Sequence, residues 1–213
     1  MPLTASAPGR VRPAPSPPPP GRRAAKAVTE ALAPLVMVAA QSAAVVAAAH
    51  PGWARGAAAL LVALALGSLA PMVFLLWGVR GGRWLSHHVP AREHRLTPMS
   101  AVLACLLAGD LVLRALPGAR GLTALFDATS LLLCVLIAIT VSWKVSAHTA
   151  VVTSAVVTAV FLFGPVGACA AVLVPATVWS RTALRAHTMA QALAGTAVGA
   201  LVTTGAYLLL ARP

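Results

Sequence analysis

Long apolar stretches alternate with short polar ones along this chain. The apolar stretches lie at approximately 31–49, 57–79, 99–116, 121–142, 149–163, 166–180 and 188–211. A helix needs about 20 apolar residues to cross a bilayer, and Pro, Gly or charged residues separate the stretches. The pattern predicts an all-α bundle of transmembrane helices with six or seven passes. The fifth and sixth stretches are short and only Gly164-Pro165 divides them, which predicts a tight hairpin.

Composition supports a membrane protein. Hydrophobic residues make up 59% of the 213 residues and charged residues 9%, with a mean hydropathy of +0.87. Soluble domains are far more polar than this. The many Ala, Gly and Thr residues suit close helix packing in lipid, where no hydrophobic drive brings helices together.

The first 26 residues differ from the rest, because they are rich in Pro, Ala and Arg and have almost no large apolar side chains. They predict a disordered basic tail ahead of a transmembrane domain at 27–213. With seven passes, twelve of the 16 Lys and Arg residues fall on the side of the tail and four on the other. The positive-inside rule then predicts that the tail and the polar loops on its side face the cytoplasm, in the plasma membrane of a bacterium.

Several function classes are disfavoured. The net charge of +12 is spread over helix ends and the tail, without the aromatic interleaving of a single-strand nucleic-acid binder. Cys105, Cys134 and Cys169 lie inside apolar runs without CxxC spacing, so they predict neither a disulfide framework nor a zinc site. The spacing of the histidines and the glutamate in 87–94 fits neither an HExxH helix nor a zinc finger. We therefore expect no metal, no cofactor and no nucleic-acid partner.

Three polar segments fall on one membrane face in the seven-pass arrangement. They are "SHHVPAREHRLTP" (86–98), "SWKVSAH" (142–148) and "SRTALRAHTMAQ" (180–191). Two passes separate each segment from the next, so residues far apart along the chain are expected to converge at one membrane interface, where helix bundles build their sites. Elsewhere, Asp110 and Arg114 lie four residues apart in the third pass and are expected to pair. Asp127 lies nearer a helix start, where its carboxylate is expected to interact with the helix dipole. Alternatively, it contacts the substrate.

The third segment resembles a known signature. Ser180-Arg181, then His187 and then Gln191 resemble the SRxxxxxHxxxD pattern of the type 2 phosphatidic acid phosphatase (PAP2) superfamily, with Gln in place of the final Asp. The sequence Ser146-Ala147-His148 resembles the PSGH motif of that family, and the arginines ahead of Pro98 resemble its KxxxxxxRP motif. The resemblance covers residues 80–205 and is to a short actinobacterial branch of the family.

The resemblance implies roles for these residues. His187 would be the nucleophile that forms a phosphohistidine and His148 the general acid, tasks that suit imidazole near neutral pH. Gln191, four residues after His187 and hence on one helix face, would accept a hydrogen bond from the ring of His187. The residues that would bind phosphate are Arg92, Arg95, Lys144, Ser146, Ala147, Ser180 and Arg181. Guanidinium groups match phosphate oxygens, and amides at a helix start favour anions, so no metal is required.

The function expected from these residues is hydrolysis of a lipid phosphate or diphosphate, with a prenyl substrate preferred over a glycerolipid. Two alternatives stay open. The same pocket could ionise a prenyl diphosphate and cyclise the cation, as a terpene synthase does. Otherwise the chain is a non-catalytic membrane bundle with a vestigial site.

Overall fold

The computed structural model describes residues 20–49, 53–83 and 96–210, and within these ranges the chain is helical with no strand. The helices, in chain order, are α1 Pro20–Ala31, α2 Pro34–Ala49, α3 Trp53–Leu64, α4 Ala70–Arg80, α5 Leu96–Arg114, α6 Arg120–Ser142, α7 Ala147–Phe163, α8 Leu173–Ala183 and α9 Met189–Leu210. A π-helical turn, Ala65–Leu69, joins α3 to α4, and a 3₁₀ segment, Gly164–Val172, joins α7 to α8.

Five helical stretches in the described ranges are long and apolar enough to cross a membrane, or six if the bent pair α1 and α2 counts as one span. The prediction of an all-α, multi-pass bundle is confirmed to this extent. The bend of 47° between α1 and α2 lies just before Pro34, whose ring tolerates only the first turn of a helix.

The chain reverses direction at Gly164, between α7 and α8. Gly164 has φ 57° and ψ −135°, a backbone conformation that side chains disfavour. A Cβ added to Gly167 would overlap the backbone of Ala159, so the 3₁₀ segment lies directly against the last turns of α7. The predicted fifth and sixth stretches are therefore the two arms of one hairpin, and the start of α7 and the end of α8 lie at the same end of the bundle. We call this the site end.

Helix α1 corrects the predicted boundary of the tail, because residues 20–26 belong to it. Ala25 and Thr29, four residues apart, are buried, and α1 packs on α8. The basic residues Arg22, Arg23 and Lys26 are exposed on its other faces. Composition did not predict this helix, because its buried stripe consists of small residues. Such a stripe is stabilised only by packing against a neighbouring helix.

Two glycines let α7 and α9 pack at backbone distance. Cβ atoms added to Gly195 and Gly199 would overlap the carbonyl oxygens of Ser146 and Ala150 respectively. This four-residue glycine spacing is the one that lets membrane helices approach closely. The contact holds the starts of α7 and α9 side by side at the site end.

A second glycine pair accommodates Phe126 of α6, which is fully buried. Cβ atoms added to Gly67 and Gly109 would lie 2.9 and 2.6 Å from its ring. Gly67 belongs to the π-helical turn, four residues before Pro71. Proline has no N–H for the carbonyl four residues earlier, and its ring clashes with that carbonyl in a regular α-helix. The wider π turn accommodates both effects.

The charged residues of α5 and α6 pair at the end opposite the site end. Arg114 donates to Asp110 at 2.7 Å and to Asp127 at 2.7 Å. The predicted pairing of Asp110 with Arg114 is confirmed, and the same guanidinium also binds Asp127. Pairing compensates carboxylates that would be costly beside lipid.

Replacing Gly199 with Ala should destabilise the bundle. The added methyl group meets the backbone of α7, which cannot move aside as a side chain would, so we expect the free energy of unfolding to fall by about 1–3 kcal/mol. Gly205→Ala is the matched control on the same helix, because nothing lies within 4 Å of a Cβ there. Denaturation in detergent measures both, and equal losses would contradict the close contact at Gly199.

Candidate functional site

A cavity of about 170 Å³ opens at the site end, and His148, Arg181 and His187 all line it. A single water needs only about 10–15 Å³ on the same scale. The three side chains are nearly buried, at 7%, 5% and 7% exposure. Most of the remaining lining is hydrophobic. Residues separated by 33 and 6 positions along the chain thus meet at one pocket, as the order of the polar segments predicts.

His148 is the second residue of α7, and three hydrogen bonds hold this helix start. Ser146 is the N-cap, and its hydroxyl accepts from the backbone N–H of Thr149 at 3.4 Å. The N–H of Ser146 donates to the carbonyl of Gln191 at 3.2 Å. The hydroxyl of Thr149 donates to the carbonyl of Ala192 at 2.8 Å. The last two bonds tie the start of α7 to the first turn of α9.

Arg181 and His187 are joined by the tight turn between α8 and α9. The carbonyl of Arg181 accepts from the N–H groups of Ala186 at 3.0 Å and His187 at 3.3 Å, and Arg185 N–H donates to Thr182 at 2.9 Å. This is the Schellman pattern of a helix C-terminus. Its left-handed position is Arg185, with φ 52°. The turn brings His187 back towards the helix end that carries Arg181.

Thr29 of α1 contacts Ser180 and Arg181, although no role was predicted for it. Its hydroxyl donates to Ser180 Oγ at 3.2 Å and accepts from Arg181 Nη1 at 3.5 Å. Ser180 Oγ in turn donates to the carbonyl of Thr177. A polar residue four positions after Ala25 in the buried stripe of α1 is the signal that could have found it.

Gln191 forms a capping box with Thr188 at the start of α9. The N–H of Thr188 donates to Gln191 Oε1 at 3.1 Å, and the N–H of Gln191 donates to Thr188 Oγ1 at 3.2 Å. This reciprocal pair is typical of a threonine N-cap followed three residues later by glutamine. Because α9 begins at Met189, His187 lies in the bend before it, and the prediction that His187 and Gln191 share a helix face is wrong.

The other predicted phosphate-binding residues have different positions. Ala147 lines the cavity. Ser146 and Ser180 are fully buried and are not part of the lining; their hydroxyls bond to the protein as described above. Lys144 lies between α6 and α7 outside the lining and has a polar contact of its own. Arg92 and Arg95 lie outside the described residues, as do the histidines of 87–94.

The described part of the chain holds no group of three His, Cys, Asp or Glu side chains that could bind a metal ion. Comparisons of the chain with family models, with curated proteins and with solved structures gave no match.

Replacing Arg185 with Gly should stabilise the turn that carries His187. A non-glycine residue in the left-handed region costs about 1 kcal/mol, and the exposed side chain of Arg185 buries no packing surface. We expect Arg185→Gly to raise the free energy of unfolding by about that amount. Ala183→Gly, in the last turn of α8, should lower it by about 0.5–1 kcal/mol. Denaturation in detergent compares them, and a loss of stability in Arg185→Gly would contradict the turn geometry.

Proposed function

We propose that this chain is an integral membrane lipid phosphatase that hydrolyses a prenyl or glycerolipid phosphate or diphosphate. The observation that carries the proposal is the shared cavity. The guanidinium of Arg181 and the imidazoles of His148 and His187 line it together with mostly hydrophobic side chains. Nearly buried cationic and titratable groups in an apolar bundle are costly and mark functional sites. A lipid phosphate matches both parts, because its headgroup is a multiply charged anion and its tail is apolar.

The two imidazoles divide the chemistry between them. A ring nitrogen of His187 attacks phosphorus, the bond from phosphorus to the lipid oxygen breaks, and protonated His148 donates its proton to that oxygen. Water then attacks the phosphohistidine and gives a proton to His148 as the phosphorus–nitrogen bond breaks. Inorganic phosphate leaves, and both imidazoles return to their starting states. Arg181 stabilises the negative charge on the phosphoryl oxygens throughout.

The position of the cavity supports a substrate that arrives from the bilayer. Trp77, Trp143 and Trp179 lie near the ends of α4, α6 and α8 at the site end, with exposed fractions of 54%, 42% and 45%. Tryptophan is enriched at membrane–water interfaces, so these residues support a position of the cavity near headgroup level. The excess of Lys and Arg on this side supports a cytoplasmic site in a bacterial plasma membrane.

The resemblance to the PAP2 superfamily is consistent with this proposal. His148, Arg181 and His187, which carry the second and third motifs, are the residues that share the cavity. Gln191 departs from that pattern in sequence, and its amide oxygen serves the capping box. The support from the structure therefore concerns two histidines and one arginine, and orientation of the His187 ring by Gln191 is not part of the proposal.

Phosphate release tests the proposed function. Purified protein in detergent is given farnesyl phosphate, farnesyl diphosphate and phosphatidic acid, and released inorganic phosphate is measured. We expect His187→Ala and His148→Ala each to lower the rate by at least about 100-fold, because each removes a group that touches the reacting atoms. Cys134→Ala, at an exposed position on α6, is the control and should leave the rate unchanged.

Two results would contradict the proposal. Phosphate release that is equal in the parent chain and in His187→Ala would exclude a phosphohistidine at this residue, and release from none of the three substrates would favour a non-catalytic bundle. The organic product separates hydrolysis from cyclisation. A linear alcohol or monophosphate supports the phosphatase, whereas a hydrocarbon or cyclic alcohol supports a terpene-synthase-like reaction.

A further inference from the structure

The cavity continues from the site end into the interior of the bundle. Along α5 its lining runs from Pro98 to Leu106, and along α6 from Leu136 to Thr129. These separations of eight and seven residues correspond to about 12 and 10 Å along the helix axes. The lining of the cavity therefore extends over about two helical turns along α5 and α6, from the site end towards the interior of the bundle.

Gly67, Leu106 and Thr129 form the bottom of this space, and the ring of Phe126 lies directly behind Gly67. The ring lies between Gly67 of the π-helical turn and Gly109 of α5, at the distances given above, and it is fully buried. Gly67 itself lines the cavity. The two lowest lining positions, Leu106 and Thr129, are each three residues from this layer along their own helices. A backbone approach at two glycines holds the ring, so it cannot swing away without moving a helix.

The residues beyond Phe126 are unsuitable for hydrocarbon. Asp127 follows Phe126 in α6, and Asp110 follows Gly109 in α5; both bind Arg114. An apolar tail that passed the ring would approach this ionic cluster and remove water from it, which is costly for charged groups. The layer thus separates an apolar chamber from a charged end of the bundle.

We propose that Phe126, by supporting the cavity floor at Gly67 from behind, sets the length of lipid tail that the site accommodates inside the protein. This inference rests on the proposed function and adds to it the tail length of the substrate. A carbon chain with bonds of about 1.5 Å in zigzag advances roughly 1.3 Å per carbon. The chamber of about 12 Å therefore holds the first nine or ten carbons, roughly two isoprene units, of a tail whose phosphate lies at His148, Arg181 and His187.

Binding of n-alkyl monophosphates of increasing length tests this proposal without relying on catalysis. Affinity is measured for the full chain in bilayer nanodiscs against the free aqueous concentration of each alkyl phosphate, so that each added carbon counts as a transfer from water to the chamber. We expect a gain of about fourfold for each added carbon until the tail reaches the floor of the chamber, at about ten carbons, and no further gain beyond that length.

The tail length at which affinity stops rising is called the break. Two variants should move the break in opposite directions. Phe126→Ala removes the ring that supports the floor from behind, so the chamber should deepen and the gain should continue to longer tails. Val102→Phe fills the chamber one turn above Leu106 and should end the gain about four or five carbons earlier. Val112→Phe is the matched control, because Val112 is on the same helix but exposed outside the lining. Its break should stay with that of the parent.

The outcomes distinguish this inference from the proposed function. A break that stays at one length in Val102→Phe and Phe126→Ala, or affinity that rises without a break in the parent, would overturn the role of Phe126 even if the chain releases phosphate. Breaks that move as expected would support it even if no phosphate is released. If Phe126→Ala does not fold, Phe126→Leu, a smaller reduction of the same side chain, replaces it, and a break that matches the parent's would overturn the role of Phe126.

Discussion

The backbone contact between α7 and α9 is the constraint on which the rest of the structure depends. Gly195 and Gly199 let the two helices touch where lipid gives no hydrophobic drive for association. The hydroxyl of Thr149 and the N–H of Ser146 then bond to carbonyls of α9. Because the hairpin at Gly164 returns α8 to the same end, the turn into α9 carries Arg181 and His187 to the start of α7, where His148 lies.

The arrangement of polar groups accounts for both the stability and the proposed chemistry of the bundle. Polar groups in a largely apolar protein cost free energy unless they are hydrogen-bonded. The hydroxyls of Ser146, Thr149 and Ser180 satisfy backbone groups and neighbouring hydroxyls. Such bonds leave the task of meeting a substrate to the side chains that line the cavity. The hydrogen-bonded hydroxyls thus hold in place the helix ends that carry the candidate reactive groups, as supporting residues do in preorganised sites.

Sequence reasoning predicted the helical class, the hairpin and the meeting of His148, Arg181 and His187, because hydropathy and helix parity determine which loops share a face. It missed features that depend on local backbone geometry. The boundary at residue 26 failed because α1 is stabilised by packing on α8. The predicted shared helix face of His187 and Gln191 was wrong because the i, i+4 argument assumed a helix that begins before His187. The pattern Thr188-x-x-Gln191 is a capping-box signature, so the sequence itself predicts that the helix begins after Thr188.

The distance between the ends of the hairpin tests the account most directly. Spin labels at Ser142→Cys and Ala183→Cys, both exposed positions, can be placed in a chain whose native cysteines are replaced by serine. Double electron–electron resonance in nanodiscs then measures the distance between the two labels. If Ala147–Ala183 reverses at Gly164, the labels lie at one end of the bundle and well under about 30 Å apart, within the width of a few packed helices. An uninterrupted helix over the same residues would hold them at about 50 Å or more, and that result would contradict the shared site.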